Sequence, residues 1–326
     1  MALEVLPKDL QRAAKESAVD KLSSLANVGE TRAVLERHGL ATKHALGQNF
    51  LVSDDIVRKI VALAGLSPTD CVLEVGPGIG TLSEALLKSA HSVVAVERDP
   101  DLPAVLAETL APWDASFTLV EKDALALDAN DLLNFEGHAP NKFVANLPYA
   151  VAATVVLDFF QRFACIESST VMVQREVAER MMAVPGNKNY GAYTVKLSLY
   201  AQPEGKFSVA PGNFFPPPHV ESTVLRLDRC AISGDDGLPL SALEREAASV
   251  MADAAFANRR KTIANSCKTY FTSCAQQWRL PGDVAQSLSD MFARCGIDGR
   301  RRGETLDLRE FVRLGKALLE MTSFSV

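Results

Sequence analysis

The 326-residue chain reads as an α/β protein: a mostly parallel sheet with an antiparallel edge, followed by a smaller all-α region. Three observations predict this. Short apolar runs ("CVLEV", "SVVAVE", "FTLVE", "KFVAN", "STVMVQ") alternate with helix-length segments such as "TLSEALLKSA" and "AATVVLDFFQRF", the pattern of parallel strands covered on both faces. The later "YTVKLSLYA" and "STVLRLD" have strand composition with no helix between them, as an antiparallel edge pair would. After about residue 240 only helical periodicity remains, in "SALEREAASVMADAAFA" and "LREFVRLGKALLE".

Taken in order, residues 1–29 show weak periodicity and are expected to form a mobile or loosely helical N-terminal extension. "SDDIVRKIVALAG" opens on Ser53, Asp54 and Asp55, acceptors suited to a helix N-terminus, and sets Ile56, Val57, Ile60, Val61 and Leu63 along one side. The alternating sheet follows, and the proline-rich "FFPPPH" separates its last two strands. A domain boundary is expected at the "SGDDG" turn, giving a first domain over 30–235 and a helical one over 236–326.

Composition removes several classes of function. The chain is 48% hydrophobic and 23% charged, enough to bury a sizeable core. Charges punctuate the first 25 residues and no apolar run approaches a membrane span, so neither a secretory signal nor a membrane association is expected. Six well-separated cysteines and five scattered histidines form no zinc or disulfide pattern, which predicts a reducing, cytoplasmic location and no metal. The net charge of −6 is unevenly spread. From Ser241 onward there are 13 Lys/Arg against 10 Asp/Glu, and before it 21 against 30. The densest cationic groups are Arg259, Arg260 and Lys261, and Arg300, Arg301 and Arg302. Alone they fit a solvated helix face; as phosphate contacts they would serve nucleic-acid binding.

Ligands of such sheets bind at the carboxyl ends of the strands. The first strand ends in "EVGPGIG", where Gly76, Gly78 and Gly80 let the backbone approach a ligand. Glu97 closes the second strand, where a carboxylate can accept both hydroxyls of a ribose. Asp123 stands after the third, placed to accept from an adenine amino group. This predicts a nucleoside pocket, although Thr81 stands where a dinucleotide fingerprint has its third glycine. The fourth strand ends in "NLPY": an amide at Asn146, then Leu147, Pro148 and Tyr149.

"LGQNFL", "EVGPGIGTL", "VERD", "KDAL" and "NLPY", continued in order by "FFPPPHVES", "FANRRKT" and "GIDGRRRGETLDLREFVRL", resemble the ribosomal RNA adenine N6-dimethyltransferases of the KsgA/RsmA type from about residue 30 to 320. The resemblance implies a Rossmann-like class I methyltransferase sheet. It implies S-adenosyl-L-methionine as cofactor, leaving as S-adenosyl-L-homocysteine, with Asn49 and Leu51 as a lid over it and Gly76, Glu97, Asp123 and Asn146 in contact. The substrate it implies is 16S rRNA in the small ribosomal subunit, at two adjacent adenosines of the 3′-terminal hairpin loop, acted on by a monomer. Phe214 matches the family's second aromatic.

The chemistry of "NLPY" is consistent with that activity. The lone pair of an adenine N6 amine is delocalised into the ring. Acceptors around its two N–H groups favour a pyramidal nitrogen, and Asn146 Oδ1 supplies one. Pro148 holds Leu147 extended and so aims the carbonyl of Leu147, the second. Tyr149 and Phe214 then offer faces for a flipped-out base. Two other readings use the same residues: a ribosome-assembly factor with a secondary or vestigial methylase site, and a 23S rRNA resistance methylase. The "GIDGRRRGETL" tail favours the small-subunit enzyme over the latter.

Overall fold

The computed structural model describes residues 21–42, 48–134, 136–273 and 278–322. The chain divides into two compact units, Met1–Ala178 with Pro203–Arg229, and Glu179–Gln202 with Cys230–Val326. The expected division at 235/236 therefore lies a few residues too late and misses that residues 179–202 belong with the helical unit.

In chain order the first unit contains α1 (Val28–Arg37), β1 (Phe50–Leu51), α2 (Asp54–Ala64), β2 (Cys71–Val75), α3 (Thr81–Leu87), β3 (Ser92–Glu97), α4 (Pro103–Thr109), β4 (Phe117–Glu121), β5 (Lys142–Asn146), α5 (Ala152–Arg162) and β6 (Ser168–Gln174). Helix α6 (Arg175–Met181) and α7 (Ala192–Ser198) follow, then β7 (Ala201–Val209), β8 (Phe214–Phe215) and β9 (Ser222–Arg229). Seven strands among the described residues form one sheet in the order β4-β3-β2-β5-β6-β9-β7. The pairings from β4 through β6 are parallel, and β9 runs antiparallel to β6 from Ser168↔Asp228 to Gln174↔Ser222. Strands β2 and β3 are buried at every position, which is why "CVLEV" and "SVVAVE" are almost continuously apolar. The short β1 and β8 pair antiparallel in a separate ladder, Phe50↔Phe215 and Leu51↔Phe214.

Two expectations are corrected. "YTVKLSLYA" is not a strand: its residues 193–198 lie in α7, which buries Tyr193, Thr194, Val195 and Leu197 in the helical unit, and the strand begins only at Ala201. Short apolar runs of this kind carry both periodicities, and packing decides between them. The extension is also shorter than expected. Residues 1–20 lie outside the described residues, but Leu25 and Ala26 are buried. Just before them, Glu84 Oε2 accepts from Ser23 Oγ (3.1 Å), Ser24 N–H (2.8 Å) and Ser24 Oγ (3.0 Å). Asp54 Oδ1 accepts from Ser23 N–H (2.8 Å). Residues 23–37 thus belong to the folded unit, and α1 packs Val34 and Leu35 in a cluster with Phe50, Ile79 and Val105.

Besides α7, the second unit contains α8 (Ala242–Phe256), α9 (Ile263–Ser273), α10 (Val284–Cys295) and α11 (Leu308–Thr322). Helix α8 starts in a capping box, Ser241 accepting from Glu244 N–H and Glu244 from Ser241 N–H. Met251, Ile263, Cys267, Met291, Phe311 and Leu314 meet in its core. Among the described residues no helix is long and apolar enough to cross a membrane.

Candidate active site

At the carboxyl ends of β2, β3 and β5 lies a cavity of about 360 Å³, within the range of small-molecule sites. Asn49, Leu51, Gly76, Glu97, Asp123 and Asn146 all line it, and so do Leu147, Pro148 and Tyr149. Residues from four separate strand ends are therefore gathered around one space.

The floor is the turn after β2. Gly76, Gly78 and Gly80 all have positive φ, a region closed to most side chains. Contact is also close at Gly78, where a Cβ would lie 3.1 Å from Phe50 Cε1; a Cβ on Gly76 would be in ordinary contact, 3.6 Å from Pro148 Cδ. Glu97 is buried and fixed, its Oε1 accepting from the backbone N–H of Arg98 (2.9 Å) and Asp99 (2.8 Å). Burial pushes its carboxyl upward, while these N–H groups and that of Gly78 oppose the shift. Asp123 accepts from Leu125 N–H and from Arg98 Nη1 at 3.3 Å, so it is tied to the β3 end.

The β5 end is held from two directions. Leu147 N–H donates to the Met172 carbonyl of β6 (3.2 Å), anchoring the backbone immediately before Pro148. Asn146 Nδ2 donates to the Asn49 carbonyl at 3.2 Å. A carbonyl can only accept, so it selects the amide orientation in which Nδ2 points to Asn49 and Oδ1 is left for another donor. Tyr149 Oη is 2.7 Å from Ser222 Oγ, which steadies the ring.

Phe214 is the expected site residue that the structure does not bring to the cavity. It is 3% exposed, stands opposite Leu51 in the β1–β8 ladder and packs in the core with Ile56, Val57 and Leu82. Its place is behind β1, where it packs in the core rather than facing the cavity.

Several lining residues were not picked out from sequence. Glu74 is 1% exposed, accepts from Ser83 Oγ at 2.6 Å, and is pushed by burial up to about 8, so it is protonated at neutral pH. Thr81 Oγ1 is buried at the wall with no hydrogen-bond partner among the described residues. Gln48 Nε2 donates to Asp99 Oδ2 at 2.7 Å. Glu74 was visible as the acid of "EVGPGIG", but nothing in the sequence separates a cavity carboxyl from a strand residue. An orphan hydroxyl, a carboxyl able to ionise beside a cation, a fixed acid at Glu97 and a glycine cradle fit a nucleoside bearing a cationic amino-acid tail. Among the described residues no group of His, Cys, Asp or Glu is arranged to hold a metal.

In the helical unit the two basic clusters, distant in sequence, meet. Ile263 N–H donates to the Arg301 carbonyl (2.7 Å) and Ala264 N–H to that of Gly299 (3.1 Å). The six cations are not equivalent. Arg301 is bound to Glu310 and to the Thr305 carbonyl, and Arg259 to Glu304 and to the Lys188 carbonyl. Arg300 pairs with Asp298 but is 90% exposed, and Arg260, Lys261 and Arg302 are exposed.

A parallel sheet with an antiparallel β9, a glycine turn after β2, acids after β3 and β4, and an amide-led "NLPY" at β5 define an S-adenosylmethionine-dependent class I methyltransferase. Comparison with known proteins narrows the class. Residues 39–287 match the ribosomal RNA adenine dimethylase family, and the chain belongs to it. It is similar to proteins named ribosomal RNA small subunit methyltransferase A. The protein of that name from Geobacillus kaustophilus is 36% identical over 302 residues, covering 90% of this chain and 97% of the relative. That from Enterococcus faecalis is 37% identical over 296 residues, covering 90% and 96%. Among solved structures, a dimethyladenosine transferase from Plasmodium falciparum superposes with a TM-score of 0.67 at 21% identity, covering 81% of this chain and 95% of its own. The 23S rRNA methyltransferase ErmE gives 0.58 at 24%, covering 83% and 99%. At those identities the two structures bear on the fold alone.

Proposed function

We propose that this protein transfers methyl groups from S-adenosyl-L-methionine to the N6 amines of two adjacent adenosines in the 3′-terminal hairpin loop of 16S rRNA. The product would be N6,N6-dimethyladenosine. The protein would act in the cytoplasm, as a monomer, on the small ribosomal subunit during its biogenesis. One observation carries the reading: Asn146, in the lining of the cavity, has its Nδ2 engaged by the Asn49 carbonyl and so presents Oδ1 as an acceptor.

The bound cofactor supplies a methyl already activated by a sulfonium. The chain's own residues do the rest. Glu97 and Asp123 hold the ribose and adenine, and the Gly76 turn lets the backbone approach. Asn146 Oδ1 and the Leu147 carbonyl accept from the two N–H groups of the target amine, which favours a pyramidal nitrogen and aims its lone pair. Both acceptors gain most as that geometry develops, so they act on the rate. Tyr149, held at Ser222, stacks the extruded base. Pro148 keeps Leu147 extended. Phe214 serves this site by backing Leu51.

The similarity to small-subunit relatives over 90% of the chain favours the small subunit over the large. Incubation of the protein and labelled cofactor with unmethylated small-subunit and large-subunit particles, in separate reactions, tests the choice. Label is expected in the small-subunit RNA alone; preferential labelling of large-subunit RNA would overturn the assignment.

A further inference from the structure

We infer that Gln48 is a positioning residue for methyl transfer: through Asp99 it fixes the Asn49 carbonyl, which sets the orientation of the Asn146 amide. The inference deepens the reading of Asn146 given above and rests on it only for its catalytic consequence.

Residues 48–52 run past the ends of three neighbouring strands, β3, β2 and β5, and are anchored along their length. Gln48 donates to Asp99 beyond β3. The Asn49 carbonyl accepts from Asn146 at the end of β5. Phe50 lies against Gly78 after β2, Leu51 pairs with Phe214, and Val52 N–H donates to the Asn213 carbonyl (2.8 Å). The span is thus held by side chains at one end and by a backbone ladder at the other. The Asn49 carbonyl sits between them, one residue from the Gln48 anchor.

Asp99 is 2% exposed and its two oxygens have separate duties. Oδ1 accepts from Asp101 N–H at 3.2 Å and Oδ2 from Gln48. It also stands two residues from Glu97, whose carboxyl its charge disfavours. A carboxylate in place of the Gln48 amide would face two acids in a buried site and be driven away. The Asn49 carbonyl would move with it. Without that acceptor, nothing distinguishes the two faces of the Asn146 amide, and Oδ1 no longer has a fixed direction.

Polarity reversal makes the inference testable. In Gln48→Glu the contact is repulsive. In the double variant Gln48→Glu with Asp99→Asn, the amide introduced at position 99 can donate to the carboxylate introduced at position 48 while its oxygen keeps the bond from Asp101 N–H, so the anchor is rebuilt with donor and acceptor exchanged. Two readouts are needed. The side-chain amide resonance of Asn146, in protein labelled with 15N at asparagine and assigned by its loss in Asn146→Ala, reports the bond to Asn49 without reference to activity. Single-turnover methylation of small-subunit particles at saturating cofactor reports the consequence. Gln48→Glu is expected to shift the Asn146 resonance and to slow methyl transfer by about tenfold to a hundredfold, in the range that misplacement of a catalytic group produces. Cofactor affinity should change far less, and the double variant should restore both resonance and rate to within about threefold of the parent. An Asn146 resonance untouched by Gln48→Glu, or a double variant no better than the single one, would overturn the inference. A parent enzyme that fails to methylate while the resonance shifts as expected would instead remove the proposed reaction and leave the coupling standing.

Discussion

At the scale of single residues, the site is governed by which polar atoms are already engaged. Asn146 engages its Nδ2 with Asn49, so in the proposed mechanism Asn146→Ala removes an acceptor that matters most as the target nitrogen becomes pyramidal. The methylation rate is expected to fall by about two orders of magnitude or more while cofactor affinity stays within a few-fold, measured by single turnover and titration calorimetry. Glu74 gives a pH signature. Its folded-state carboxyl titrates at about 8 against an ordinary 4.5, because it is desolvated. Its protonated form therefore contributes stability that is fully present below the unfolded value and is lost as pH rises from about 4.5 to about 8. Glu74→Gln should flatten that slope in urea unfolding across this window. Binding of the cationic cofactor beside Glu74 favours the carboxylate, so binding near pH 7 should release a proton in the parent and none in the variant. Calorimetry in buffers of different ionisation enthalpy checks this. The sequence displayed Asn146, Glu97 and Asp123 plainly, since the first two end apolar runs and Asp123 stands just past a third. Gln48 and Asp99, 51 positions apart, were hidden because only the folded chain makes them neighbours.

At the scale of elements, the parallel strands were legible because burial on both faces leaves little room for polar residues, and "CVLEV", "SVVAVE" and "KFVAN" became β2, β3 and β5. What the sequence hid were elements stabilised by contacts that periodicity does not register. The segment before α1 is held by Glu84, a buried carboxylate accepting from both Ser23 and Ser24 and salt-bridged to Lys88. Glu84→Ala strands several of those donors and should lower unfolding free energy by about 2–3 kcal/mol, with accelerated hydrogen exchange at the Ser24 amide. Undiminished stability together with retained Ser24 protection would show that the apolar contacts of Leu25 and Ala26 hold the segment unaided. Helix α7 illustrates the opposite error. Tyr193, Val195, Leu197 and Leu199 alternate like a strand, yet their (i, i+4) pairs serve a helix once the second unit supplies a surface to bury them.

At the scale of the whole molecule, a cavity of about 360 Å³ is too small to choose, by itself, one adenosine among the many of an RNA, so in the proposed reaction selection requires contacts elsewhere. The joined basic clusters of the helical unit are the groups suited to phosphates, which position a folded RNA without reading its bases. Sequence treated Arg300, Arg301 and Arg302 as one unit, but Arg301 and Arg259 are committed to internal carboxylates. The informative variant therefore neutralises Arg260, Lys261 and Arg302. Its affinity for small-subunit particles should fall and its salt dependence flatten, with cofactor affinity unchanged; an unaltered salt slope would assign these residues to a solvated face. The central claim, that the cavity methylates adenine N6 twice on neighbouring residues of small-subunit RNA, is tested most directly by mass mapping of nuclease fragments from unmethylated particles incubated with the protein and S-adenosylmethionine. Two adjacent N6,N6-dimethyladenosines in the 3′-terminal hairpin fragment, formed by the parent and lost in Asn146→Ala, are the predicted result. An unmodified hairpin fragment, or methyl groups found on any other atom or in large-subunit RNA, would contradict it.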